Sequence, residues 1–139
     1  MKSQESILLV EDDAVDQMTV KRALKDINIT NTLIITNNGE EALAYLRDEK
    51  NELPGIILLD LNMPKMNGVE FLNVAKNDRR IKTIPVVVLT TSKEEQDRIN
   101  TFNLSVAGYM IKPVDYVKFV EIIRTINKYW TLCESPGTR

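Results

Sequence analysis

Histidine is absent from the 139 residues of this chain. That excludes His-based catalytic triads and most zinc sites, and the chain cannot itself be a phosphohistidine donor. A single cysteine, Cys133, rules out an internal disulfide and fits a reducing compartment. Long apolar runs are also missing. The first run, Ile7-Leu8-Leu9-Val10, is far shorter than a signal peptide core or a membrane span requires, so a cytoplasmic location is expected. Charge of one sign is not in excess: 18 basic against 20 acidic residues leave a net charge of −2. Neither nucleic acid nor an anionic membrane is favoured as a partner. Glycine and proline number five each, and no repeat or low-complexity segment is present.

Short apolar runs alternate with longer amphipathic stretches. Ile7-Leu8-Leu9-Val10, Leu33-Ile34-Ile35-Thr36, Ile56-Ile57-Leu58-Leu59, Val86-Val87-Val88-Leu89 and residues 107–111 read as strands. Between them run helical stripes: Val20, Ala23, Leu24 and Ile27; Ala42, Leu43 and Leu46; Gly68, Phe71, Leu72 and Ala75. Residues 93–104 carry a thin stripe, Ile99 and Phe102, and the last helix a long one of Phe119, Ile122, Ile123, Ile126 and Trp130. Asn37-Asn38-Gly39 reads as a turn, and Asp13 as a helix N-cap or first-turn acid. Every strand except the second lacks alternation, the mark of a sheet covered on both faces. Successive βα units therefore predict a doubly wound α/β sheet. The chain length suits one domain, expected over residues 5–130 with a polar tail over 131–139.

In such a sheet, ligands gather outside the carboxyl ends of the strands. The predicted ends carry Glu11-Asp12, Asp60, Thr90 and Lys112. Clustered carboxylates repel one another, and a hard cation content with oxygen ligands relieves the repulsion. Magnesium is the cation expected, with Asp12, Asp60 and the backbone carbonyl of Asn62 as ligands and Glu11 acting through a metal-bound water. Asp60 is the candidate nucleophile, because a carboxylate can attack phosphorus to give an acyl phosphate. Lys112 would neutralise phosphoryl oxygens, and Thr90 would donate a hydrogen bond to one of them.

At these residues the sequence resembles the response regulator receiver family. The matching motifs are Ile-Leu-Leu-Val-Glu-Asp-Asp (7–13), Leu-Leu-Asp-Leu-Asn-Met-Pro (58–64) followed by Asn67-Gly68, Pro-Val-Val-Val-Leu-Thr (85–90) and Gly-Tyr-Met-Ile-Lys-Pro (108–113). The resemblance implies a flavodoxin-like fold: five parallel strands in the order 2-1-3-4-5 with helices on both faces. It implies a phosphoacceptor switch rather than an enzyme, able to promote its own phosphorylation from small donors and its own dephosphorylation. Asp60 would take a phosphoryl group from a sensor histidine kinase or histidine phosphotransfer protein. Thr90 and Tyr109 would be the switch pair, and the Lys112–Pro113 bond is often cis in the family. Thr91 departs from the smaller residue that the family prefers and bears on how long the phosphoryl group lasts. The long spacer 48–55 and the ending Tyr-Trp-Thr-Leu-Cys-Glu-Ser-Pro (129–136) are similar to stand-alone regulators paired with bacterial phytochromes. Such proteins signal by binding a downstream partner or by forming a homodimer through the last strand and helix.

Three other readings compete. An Asp-nucleophile phosphatase would carry a second Asp two residues after the nucleophile, where this chain has Asn62. A flavin or nucleotide binder would need a phosphate-cradling loop after the first strand, where this chain has three acids. A degenerate receiver would lack one of the five residues named above, and all are present.

Overall fold

Apolar runs without alternation become strands only if helices cover both sides of the sheet. In the computed structural model, which describes residues 5–61, 66–90, 106, 108–111 and 115–132, that is the arrangement. The side chains of residues 90, 109–111 and 129–132 fall outside this description. Strands β1 (Ile7–Val10), β2 (Leu33–Thr36), β3 (Ile56–Asp60), β4 (Val86–Thr90) and β5 (Gly108–Ile111) form one sheet in the order β2-β1-β3-β4-β5. All four neighbouring pairs are parallel. The described helices are α1 (Ala14–Asp26), α2 (Gly39–Arg47), α3 (Gly68–Lys76) and α4 (Tyr116–Leu132). The helix expected over 93–104 lies outside the described residues.

Alternate residues of β1, β3 and β4 feed two separate cores. Leu8, Val10, Ile57, Leu59, Val86 and Val88 pack under α2 and α3, against Ala42, Leu43, Leu46, Phe71, Leu72 and Ala75. Ile7, Leu9, Leu58, Val87 and Leu89 pack on the other face under α1 and α4, against Val20, Ala23, Leu24, Phe119, Ile123 and Ile126. Burying one such side chain contributes roughly 1.5–3 kcal/mol. β2 is the exception, half-buried along most of its length, because it pairs on one side only, with β1.

Local chemistry fixes where the helices begin. The Asp13 carboxylate accepts the Val15 N–H at 2.8 Å and caps α1. Asn38 caps α2 through the Glu41 N–H, and Asn67 with Glu70 forms a capping box at α3. Ile27, expected on the α1 stripe, instead closes the helix as its C-cap and is partly buried.

Candidate functional site

β1 lies between β2 and β3, so the chain crosses to opposite sides of β1 in making its first two returns. The crevice at that reversal, outside the carboxyl ends of β1 and β3, is where ligands bind in this architecture. Glu11 and Asp12 follow β1 directly, and Asp60 is the last residue of β3. Carboxylate oxygens of the three all lie within 4.8 Å of one another. Glu11 is 1% exposed and Asp60 5%, whereas Asp12 opens to solvent. Two covered acids beside an open one form an all-oxygen donor set that suits a hard divalent cation and keeps a path for water or ligand.

The other expected residues divide as follows. Thr90 closes β4, one position past Leu89, which pairs with Asp60, so its backbone belongs to the same sheet edge. Tyr109 lies on β5 in register with Val88. The side chains of both are outside the description. Asn62, Lys112 and the Lys112–Pro113 bond lie outside the described residues.

Besides Gly68, which belongs to the Asn67-Gly68 motif, residues that the motifs did not point to hold the site's backbone. The Glu11 N–H donates to the Thr36 carbonyl at 3.0 Å. The Gln17 carboxamide, on α1, donates to the Glu11 carbonyl at 2.6 Å and to Asn37 Oδ1 at 2.8 Å. After Asp60, the Leu61 carbonyl accepts the Gly68 N–H at 3.1 Å, and the Met66 carbonyl accepts the Gly39 N–H at 3.1 Å. A Cβ at Gly68 would lie 2.6 Å from Leu61 Cα and 2.8 Å from the Asp60 carbonyl oxygen. Gly68 thus allows α3 to start against the end of β3.

The comparisons with known proteins agree with this geometry. The family model for the response regulator receiver domain matches residues 7–124. The chain belongs to that family, and with it to the response regulators of two-component systems. It is 40% identical over 128 residues to the response regulator Rcp1 of Synechocystis, covering 89% of this chain and 87% of that protein. It is 37% identical over 135 residues to FilR2 of Methanothrix harundinacea, a probable methanogenesis regulatory protein, covering 94% of this chain and 87% of that one. Among solved structures, the phosphorylated cyanobacterial phytochrome response regulator RcpA superposes with a TM-score of 0.86 at 35% identity, over 96% of this chain and 99% of RcpA. The Mn²⁺-bound form of Rcp1 gives 0.84 at 38% identity with the same coverage. The fold is therefore the flavodoxin-like receiver fold. Receivers are phosphoacceptor switches that bind a divalent metal, take phosphoryl groups from histidine kinases and signal to downstream partners. Among the described residues no helix is long and apolar enough to cross a membrane.

Proposed function

We propose that residues 5–130 form a receiver domain that is phosphorylated on Asp60 at a magnesium site, with a polar tail over 131–139. The convergence of Glu11, Asp12 and Asp60 within 4.8 Å carries this reading. Asp12 and Asp60 would hold the cation directly, with the backbone carbonyl of Asn62 as a third ligand and Glu11 acting through a water. The chemistry a bound cation would supply there is neutralisation of the phosphoryl oxygens. Asp60 Oδ attacks phosphorus, the P–N bond to the donor imidazole breaks, and that nitrogen keeps the electron pair. Lys112 stabilises charge on the phosphoryl oxygens, and Thr90 donates to one of them while Tyr109 turns inward. The crystallised states of two relatives, RcpA phosphorylated and Rcp1 with Mn²⁺, support both parts of the reading.

The donor is a sensor histidine kinase or a histidine phosphotransfer protein, and the likeness to RcpA favours a phytochrome-type sensor. Output is by a protein partner or by a homodimer through β5 and α4, whose Val117 is 69% exposed. A net charge of −2 gives no pull toward nucleic acid or an anionic membrane, which leaves a protein as the partner. Asn62 stands where a phosphatase needs its general acid, so the phosphoryl group is held rather than rapidly turned over.

The test is incubation with Mg²⁺ and acetyl phosphate, followed by intact-mass measurement. One acid-stable, base-labile phosphoryl adduct is expected, absent from Asp60→Asn and suppressed by chelation. An unmodified wild type, or an equal adduct on Asp60→Asn, would overturn the assignment.

A further inference from the structure

The ends of the two strands that bring the carboxylates together, β1 and β3, are both tied to the turn that follows β2, a strand that contributes no carboxylate to the cluster. On one side, the end of β2 grips Glu11. Thr36 accepts the Glu11 N–H, and Asn37 holds the Gln17 carboxamide whose other contact is the Glu11 carbonyl. On the other side, Gly39 donates to the carbonyl of Met66, two residues before Gly68, whose own N–H holds the Leu61 carbonyl next to Asp60. The turn itself is stiff. Asn38 is buried and accepts the Glu41 N–H at 2.9 Å, and Glu41 Oε1 accepts from both the backbone and side-chain N–H groups of Asn37 at 3.2 Å. There is no slack at Gly39 either. A Cβ there would lie 2.7 Å from Met66 Cγ and 2.8 Å from the Met66 carbonyl oxygen.

We propose that Asn37-Asn38-Gly39, with Gln17, is a positioning element that sets the spacing between the Glu11–Asp12 end of β1 and the Asp60 end of β3, and thereby the affinity of the cation site. It acts through the backbones of Glu11 and Met66. The inference rests on the cation-site reading given above. Loss of groups that orient metal ligands typically weakens metal affinity about 10–100-fold.

Mn²⁺ binding to the full chain, followed by the electron paramagnetic resonance of the free ion, tests the proposal directly. Gly39→Ala, which forces Met66 away, and Gln17→Met, which removes both donated bonds, are each expected to raise the dissociation constant about tenfold. Gln17→Met should remain folded, because Gln17 is only partly buried and lies in neither core, although the loss of two hydrogen bonds lowers its urea midpoint. Asn37→Leu should match Gln17→Met, and the double variant should be no weaker than either single one, since the link is shared. Phosphorylation of Gln17→Met by acetyl phosphate should be slow at limiting Mg²⁺ and return to the wild-type rate at saturation. A folded Gln17→Met with wild-type Mn²⁺ affinity would overturn the proposal, even if Gly39→Ala fails to fold. A wild-type protein that binds no Mn²⁺ would overturn the cation-site reading as well, so the two failures are distinguishable.

Discussion

The Tyr116 hydroxyl donates to Asp26 Oδ2 at 2.5 Å, joining the first residue of α4 to the last residue of α1 across 90 positions of sequence. Arg22 completes the contact, its guanidinium 4.3 Å from the Tyr116 ring centroid and 3.9 Å from the Asp26 carboxylate. Partial burial first, then the bond and charge of Asp26, raise the Tyr116 phenol above its ordinary value of 10.0. A group whose folded value exceeds its unfolded one stabilises the fold below the unfolded value and loses that contribution as pH rises through the folded one. Wild type should therefore lose thermal stability more steeply than Tyr116→Phe above about pH 10. Circular dichroism melts across that range check this, and parallel curves would show the contact to be energetically idle.

Acid should expose a different tie. Asp78 accepts the Arg80 N–H at 2.9 Å and the Arg47 Nε at 3.4 Å. The Arg80 backbone bond chiefly, and Arg47 after it, hold the Asp78 carboxyl below its ordinary value, against the opposing effect of burial. The sign is the reverse of the tyrosine's: the contribution is present above the unfolded value and vanishes as pH falls through the folded one. Asp78→Asn should be less stable than wild type near neutrality, and the gap should close in acid. Urea midpoints measured from neutral pH to below about pH 4 would reveal a gap of constant size if the assignment is wrong.

Two glycines separate lack of space from conformational need. No described glycine has a positive φ, so what Gly68 provides is room. Gly68→Ala puts a methyl against Leu61 Cα and the Asp60 carbonyl, both backbone neighbours that cannot swing away, and should destabilise by about 1–3 kcal/mol. Gly108→Ala meets nothing within 4 Å and should stay within about 0.5 kcal/mol of wild type. Urea midpoints at unchanged slope are the measure.

Cation binding should also be visible as stability. A divalent ion at a hundredfold excess over its dissociation constant raises the unfolding free energy by about 2.7 kcal/mol. The melting temperature should rise with Mg²⁺ and fall back on adding chelator. Asp12→Ala removes the proposed exposed ligand and should abolish the rise, while relief of repulsion among the three carboxylates leaves the metal-free melting temperature no lower than that of wild type. A variant that still responds fully would exclude Asp12 as a ligand.

Much of the framework was readable because double coverage leaves a direct trace: β1 and β3 are unbroken apolar runs, and each leads straight into its acids. Asp13 was legible as a cap because capping is a local interaction. The stripe on α1 foretold Val20, Ala23 and Leu24, and the half-covered β2 is the strand whose pattern was least like the rest. The turn at Asn37-Asn38-Gly39 could be read as punctuation, but its reach could not. Gln17 meets Asn37 twenty positions away, and Gly39 meets a carbonyl contributed by Met66. Carboxamide and main-chain bonds of that kind carry no periodicity and no compositional mark. Tyr116–Asp26 was hidden for the same reason.

The sheet divides the interior in two. Phe71 and Leu72 belong to one core and Phe119 and Ile123 to the other, with alternate residues of the same strands serving each. Substitutions on opposite sides therefore share no side-chain neighbours, and their effects should sum rather than compound. Evolution can revise exposed residues of the α1–α4 half such as Val15 and Val117, provided that Gln17 keeps its hold on Glu11, while the α2–α3 half goes on anchoring Gly39 and Gly68 unchanged. Such insulation lets one phosphoacceptor scaffold change its outer surface while most of what surrounds its acidic cluster stays as it is.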